Sequence, residues 1–313
     1  MQSYHSLSEY NNNMSSCVIT VGMFDGVHAG HISVLKKVVE LSKQENIPSV
    51  VFTFSNHPTT FFDSNTGYSS LTSLTEKKLK MEKIGINILI AIPFDKYMAS
   101  LTAHEFARTI LCDLFRVSHI VFGYDNHFGQ NREGSKDFID ANFPLIQTHR
   151  VSETIIDHEI VSSSIIKKYL NLGDVERVTQ LLTYPFTLFG TIIKGDQLGR
   201  TIGFPTANLQ VTDFNKLIPA RGVYLTKITI RNEVYYGMTN IGIRPTVSET
   251  QELRIETHVF NFDLEIYGDE VSIEFISRLR DEKKFDSFSS LVHQLNQDKI
   301  DANKMLAQIH VAT

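Results

Sequence analysis

Cysteine is scarce in this chain: two residues in 313, Cys17 and Cys112, with no CxxC pair and no Cys/His cluster at zinc-ligand spacing. That excludes a disulfide scaffold and a zinc-ribbon reading, and two unpaired thiols suit a reducing compartment. Proline (8 residues) and glycine (17) are too sparse for a collagen-like or disordered chain, and hydrophobic residues at 42% with charged ones at 21% are ordinary for a globular protein. No run approaches the roughly 20 apolar residues of a membrane span, and the first sixteen residues are polar, rich in Ser and Asn. Basic excess is lacking too. A net charge of −5 argues against a broad surface for nucleic acid or anionic membrane, although a local basic pocket is compatible with it. The expectation is a cytoplasmic protein that binds neither nucleic acid nor membrane; a homo-oligomer is left open, and the length favours two domains over one core.

What is present changes texture part-way along. Cys17 to Val21 is an apolar, β-branched run ending at Gly22, and Ile32 to Leu41 then sets Val34, Leu35, Val38 and Val39 at helical spacing. Strand and helix signals alternate onward: Ser49 to Phe54, Thr75 to Ile84, Asn87 to Ile92, Ala103 to Leu114, His119 to Phe122. Near-continuously apolar strands alternating with helices predict a parallel sheet covered on both faces, with the loops beginning at Gly22, Phe54, Pro93 and Gly123 lining one site at the strands' carboxyl ends. After a helical stretch from Ser164 to Leu182, Phe186 to Phe275 reads as short β-rich runs separated by Gly, Pro, Asn and Asp. That predicts a compact antiparallel sheet or barrel, covered by an amphipathic helix that starts near Asp286 and shows Phe288, Leu291, Val292 and Leu295 on one face. The boundary is placed at Tyr184/Pro185, giving domains 1–184 and 185–313.

Gly22-Met-Phe24-Asp-Gly-Val-His28-Ala-Gly30-His31 lies at the first strand-to-helix junction. Glycines admit close backbone approach, the helix start offers free N–H groups and a positive dipole end, and His28 and His31 could stabilise charge on a phosphoryl group in flight. In the second half, Gly190 to Leu209 is dense in glycine, including Gly195 and Gly203, which fits either a nucleotide-wrapping loop or ordinary β-turns. Pro205-Thr206-Ala207-Asn208 puts a hydroxyl and an amide two apart on an extended segment, hence on one face, where they could ligate a hard cation such as Mg²⁺. His104-Glu105 is not a zinc-protease helix motif, because residue 108 is Arg; Lys77-Lys78 and Lys283-Lys284 read as solvated faces.

The first motif resembles the H-x-G-H signature of the nucleotidyltransferase superfamily, in the form found in prokaryotic bifunctional riboflavin kinase/FAD synthetases. Thr53-Phe54-Ser-Asn-His57-Pro58, Pro93-Phe94-Asp95, Gly123-Tyr-Asp125-Asn-His-Phe128-Gly129 and Ser162-Ser163-Ser164-Ile-Ile-Lys167 follow in that family's order. Gly199-Arg200-Thr-Ile-Gly203-Phe-Pro-Thr206-Ala-Asn208 is similar to the riboflavin kinase signature. Support comes from Arg221-Gly-Val-Tyr224, Asn240-Ile-Gly-Ile-Arg-Pro245-Thr246, Glu256-Thr-His258, Phe262-Asp263 and Tyr267-Gly268.

The resemblance implies a Rossmann-like adenylyltransferase domain and a β-barrel kinase domain, acting on riboflavin, FMN, FAD and ATP with Mg²⁺. It assigns His28 and His31 to catalysis at the ATP phosphates, and Gly22, Phe24, Gly30, Ser162, Ser163, Ser164 and Lys167 to ATP or phosphate binding. His57, Pro58, Asp125 and Phe128 fall on the flavin side, although Phe128 also suits a core. For the kinase it assigns Gly195, Gly203, Thr206 and Asn208 to ATP, the last two also to the metal, and Glu256 to taking the proton of the ribityl 5′-hydroxyl. The sequence departs from the family's habit at Asn56 (often Pro), Asn126 (often aromatic) and Lys167 (usually Arg, whose planar fork grips phosphate). Rival readings are a chain with one active module and a flavin-binding regulator without turnover.

Overall fold

The computed structural model describes residues 1–10, 14–62, 67–195, 198–244 and 252–312. The chain divides into two compact units at Ser163/Ser164.

The first unit is built on six strands: β1 Gln2–Tyr4, β2 Cys17–Val21, β3 Ser49–Phe54, β4 Ile88–Ile92, β5 Val117–Phe122 and β6 Gln147–Arg150. They form one all-parallel sheet in the order β1-β4-β3-β2-β5-β6. The helices between them are α1 Ala29–Glu45, α2 Pro58–Phe62, α3 Leu74–Ile84, α4 Lys96–Ser100, α5 Ala103–Phe106 and α6 Lys136–Asn142, with α5 running on through wider turns to Leu114. Alternate strand residues bury on opposite faces. Val18, Val51, Leu89 and Val121 pack with Leu35 and Val38 of α1, while Ile19, Phe52, Ile90 and Ile120 pack with Phe106, Ile110 and Phe115. A sheet apolar on both faces has to be covered on both, which is why these strands read as uninterrupted hydrophobic runs. The strand order reverses between β2 and β5, so the loops after these two strands diverge and leave a crevice at the carboxyl edge. A two-stranded ribbon, β7 Ile155–Ile156 with β8 Glu159–Ile160, follows.

The helical stretch expected as one element is two: α7 Ser163–Leu172 and α8 Val175–Leu182. Gly173 at φ 77° ends the first, and Asp174 caps the second by accepting from Arg177 N (2.9 Å). Both helices pack onto the second unit: the Arg278 guanidinium donates to the Leu172 carbonyl (2.9 Å) and Arg278 N donates to Glu176 Oε1 (3.2 Å).

That unit is a closed antiparallel barrel of β9 Thr187–Ile193, β10 Ala207–Val211, β11 Gly222–Ile230, β12 Glu233–Arg244, β13 Glu252–Val259 and β14 Glu270–Arg280, in the order β10-β13-β12-β11-β14-β9. A short α9 Leu198–Thr201 precedes β10, and α10 Phe288–Ala312 closes the chain. Inside the barrel Thr226, Thr239 and Thr257 are fully buried and linked hydroxyl to hydroxyl at 2.8 and 2.9 Å, which satisfies polar groups that burial would otherwise penalise. Outside, Val223, Leu225 and Met238 pack with Ala302 and Leu306 of α10. Arg280 of β14 binds Asp298 of α10 through two nitrogens (2.9 and 2.7 Å), and Gln294 Nε2 donates to the same carboxylate (2.8 Å).

Candidate functional sites

Between β2 and α1 the backbone takes conformations that L-residues resist, with Phe24 at φ 49° and Val27 at φ 38° around Gly26 at φ 86°. Each such non-glycine residue costs on the order of 1–3 kcal/mol, so its surroundings must over-determine it. They do. The buried Asp25 carboxylate accepts from Leu71 N (2.8 Å), Thr72 N (3.3 Å) and the Tyr68 hydroxyl (3.0 Å). Gly26 N donates to Thr72 Oγ1 (2.9 Å), and Ser163 Oγ donates to the Asp25 carbonyl (2.8 Å).

The bent loop delivers His28 to the N-cap of α1, where its Nδ1 accepts from His31 N (3.3 Å). The proton of neutral His28 then sits on Nε2, which can donate outward. The two rings stack at 3.6 Å and 17°, with Phe24 edge-on to His31 at 5.2 Å. A Cβ at Gly30 would stand 3.3 Å from the His28 ring, and one at Gly22 3.2 Å from the Phe24 ring, so the glycines admit this packing. Burial pushes His28 down to about 4, against a smaller upward pull from Asp25. His31 lies well below the usual range because of burial, then His28, then the charge of Lys77. Both rings are therefore neutral near pH 7. His31 Nδ1 is buried with no hydrogen-bond partner among the described residues. Neutral donors beside the free N–H groups of a helix start suit an anionic ligand.

Lys77 corrects the expectation of a solvated face. It is buried, and its Nζ donates to the Met23 carbonyl (2.9 Å). The Ser73/Glu76 capping box fixes where α3 starts, and the next residue points under the loop.

His57 and Pro58 follow β3, and the His57 ring stacks on Tyr68 at 4.1 Å, so the expected flavin side connects through Tyr68 to Asp25. The departures Asn56 and Asn126 tie strand ends together. Asn56 exchanges hydrogen bonds with the Phe94 backbone (3.1 and 2.6 Å), and Asn126 Nδ2 donates to the Val21 carbonyl (2.5 Å). Asp125 is exposed. Phe128 is buried among Phe106, Phe122 and Phe138, and its backbone pairs with Gly134. Ser162 is half-buried in the first unit; Ser164, exposed, and Lys167, half-buried, lie along α7 in the second.

In the second unit the register sets Asn208 of β10 opposite Glu256 of β13, and Glu256 opposite Asn240 of β12. Asn240 also pairs with Val223, whose side chain faces α10, so this polar row lies on the barrel's outer face. Thr206, Asn240, Glu256, His258 and Arg280 line a cavity of about 310 Å³ there, and Phe288, Leu291 and Leu295 of α10 add apolar wall. His258 Nδ1 lies 2.9 Å from the Pro205 carbonyl, and burial lowers its proton affinity. A Cβ at Gly195 would come within 2.3 Å of the Asn208 amide, so only glycine lets that turn lie against it; Gly203 sits at φ 79°. Thr206 and Asn208 offer neutral oxygens, donors that fit a hard divalent cation shared with a nucleotide's phosphates. Pro245 and Thr246 lie outside the described residues.

The sequence motifs give Asn240 and Arg280 no role and α10 only a covering one. Asn240 is recognisable once its partner strand is known, because the ladder places it beside Glu256, and α10 supplies cavity wall. Lys283, read as a solvated face, is at the cavity's edge.

Comparison with known proteins matches each unit separately. Residues 10–165 match the FAD synthetase family and residues 182–306 the riboflavin kinase family. Among curated relatives, the bifunctional riboflavin kinase/FMN adenylyltransferase of Listeria monocytogenes is 35% identical over 93% of both chains. That of Haemophilus influenzae is 33% identical over 95% of this chain and 97% of its own. A crystal structure described as a macrolide-efflux protein from Streptococcus pneumoniae superposes with a TM-score of 0.89 at 29% identity, covering 96% of this chain and 98% of that one. No helix among the described residues is long and apolar enough to cross a membrane. With both family models matched in order and relatives aligned over nearly the whole length, the chain belongs to the bifunctional riboflavin kinase/FMN adenylyltransferase family.

Proposed function

We propose that the chain phosphorylates riboflavin to FMN with ATP and then adenylylates FMN to FAD, using residues 185–313 for the first reaction and 1–184 for the second. The observation that carries this reading is the pairing of two unlike sites: stacked neutral histidines at a helix start in one unit, and a carboxylate in a polar ladder over a cavity in the other.

The difference between the sites suits the two nucleophiles. The FMN phosphate is already anionic. Its oxygen bonds to the α-phosphorus of ATP as the bond to the β-phosphate oxygen breaks and pyrophosphate leaves, so positioning and charge stabilisation suffice. His28, His31 and the first N–H groups of α1 serve the phosphates, with Ser162, Ser163, Ser164 and Lys167 assigned to the same task by resemblance. His57, Pro58 and Asp125 serve the flavin, and Phe128 holds the loop of Asp125 from within the core. The ribityl hydroxyl is neutral. Glu256 takes its proton as the oxygen attacks the γ-phosphorus and ADP leaves. Thr206 and Asn208 hold Mg²⁺ with the nucleotide, and the ion when bound offsets phosphate charge. A cytoplasmic enzyme acting without nucleic acid or membrane fits the acidic charge and the small-molecule substrates; a homo-oligomer is compatible with the same reading.

Chromatography of the products from riboflavin, ATP and Mg²⁺ tests it. FMN and FAD are expected in sequence. Only one conversion would leave a single active module, and none would leave a flavin-binding protein without turnover.

A further inference from the structure

We propose that Lys77 is a positioning residue of the adenylyl-transfer site: it clamps the backbone of the His28/His31 loop and supplies a buried positive charge beneath it. The inference rests on the proposed role of those histidines.

The clamp is visible in the geometry. Lys77 is 6% exposed, and its Nζ reaches the Met23 carbonyl at 2.9 Å, one residue before Phe24 enters the left-handed region. Thr53 Oγ1 donates to the same carbonyl at 3.3 Å. The loop is thus held from both sides, by β3 and by α3. The segment that carries Lys77 also carries the other braces, because Tyr68, Leu71 and Thr72 bind Asp25 and Gly26 immediately before the Ser73 cap.

Among the described residues, the charged and titratable groups bearing on the histidines are Asp25 from the loop, acting on His28, and then His28, followed by Lys77 from α3, acting on His31. Asp25 is negative, and burial keeps both rings uncharged. A triphosphate entering here therefore meets hydrogen-bond donors from the rings and the helix start, and formal positive charge from α3. A lysine left buried beside a strained anion loop is more than a packing residue, since a long apolar side chain would fill the same space without a charge to desolvate.

Lys77→Gln removes the charge and, with a side chain one bond shorter, also weakens the reach to the Met23 carbonyl. For this variant the kcat/KM for FMN adenylylation is expected to fall about tenfold or more, and the inhibition constant for inorganic pyrophosphate to rise in parallel, while riboflavin phosphorylation is unchanged. Lys77→Arg, with donor and charge both kept, should recover most of each. Wild-type adenylylation and pyrophosphate inhibition in Lys77→Gln overturn the inference. Should Lys77→Gln fail to fold, Lys77→Arg decides: folded with near wild-type pyrophosphate inhibition sustains it, and folded with a tenfold-raised constant overturns it. His31→Ala is the control for the underlying reading. If FAD formation survives His31→Ala, the site assignment itself fails. If it is lost there but Lys77→Gln behaves as wild type, only the role of Lys77 fails.

Discussion

At the residue scale the two sites differ in how they handle protons. Glu256 stands between Asn208 and Asn240 in the ladder and lines the cavity, where a neutral hydroxyl can be brought to it. A placed general base contributes about 10²- to 10⁴-fold, so Glu256→Gln should lower the kinase kcat by roughly two orders of magnitude or more, with a smaller change in ATP binding and FMN adenylylation nearly untouched. A kcat within a few-fold of wild type, in a folded variant, would reduce Glu256 to an orienting hydrogen bond. The histidines predict a stability effect instead. His28 drops from an ordinary 6.5 to about 4 on folding, so between those values the unfolded chain binds more protons than the folded one. Its contribution is fully present above pH 6.5 and is lost as the pH falls through the folded value. Urea titration of the first unit should show stability declining by a few kcal/mol between about pH 6.5 and 4. His28→Asn should flatten that decline, and an unchanged slope would mean that other groups carry it. Which residues cluster at the loop was readable from the motif. That Lys77 belongs with them was not, because nothing local marks one lysine of a Lys-Lys pair as facing inward.

Among the elements, the strands that run through the core were legible and those at the edges were not. β2, β3, β4 and β5 are apolar on both faces and announce themselves, whereas β1 (Gln2–Tyr4) and β6 (Gln147–Arg150) are short, polar edge strands defined by pairing with β4 and β5 alone. α1 begins three residues before its apolar period does, because its cap is His28 and not one of the small polar residues that usually signal a helix start. The break between α7 and α8 did have a signal, Gly173 followed by Asp174, which the apolar periodicity on either side masked. For α10 the sequence showed an amphipathic face but not the buried pair that docks it. Asp298 is 4% exposed and meets Arg280 at 12%, so removing the carboxylate strands a nearly buried guanidinium. Asp298→Ala should destabilise the second unit by about 3 kcal/mol and raise the riboflavin KM, since Arg280, Phe288 and Leu295 line the cavity. A shift under about 1 kcal/mol, read from denaturant midpoints, would show that the apolar contacts of Ala302 and Leu306 hold α10 without the ion pair.

For the whole molecule, the defining property is that each unit contains the core and the central groups of one proposed reaction, although Ser164 and Lys167, assigned to the adenylyl-transfer phosphates, lie along α7 in the second unit. The first has its own two-sided core and the loop that carries the histidines; the second has its own barrel and a cavity lined entirely from within it. Separate family models match the two parts, and the product of one proposed reaction is the substrate of the other. If FMN passes between them through solution, the two activities need not reside on one chain. A mixture of His31→Ala, which keeps the kinase site, and Glu256→Gln, which keeps the adenylylation site, should then convert riboflavin to FAD although neither variant does so alone at the wild-type rate. FMN should accumulate first and FAD follow after a lag that shortens as the Glu256→Gln protein is increased, because the second step then consumes free FMN at a rate set by that protein's concentration. Direct transfer predicts the opposite pattern: little FAD from the mixture, although each variant performs its remaining half-reaction when supplied with riboflavin or FMN. Following riboflavin, FMN and FAD in one time course distinguishes the two, and a mixture that makes FMN but no FAD, with the Glu256→Gln protein active on added FMN, would rule out free exchange.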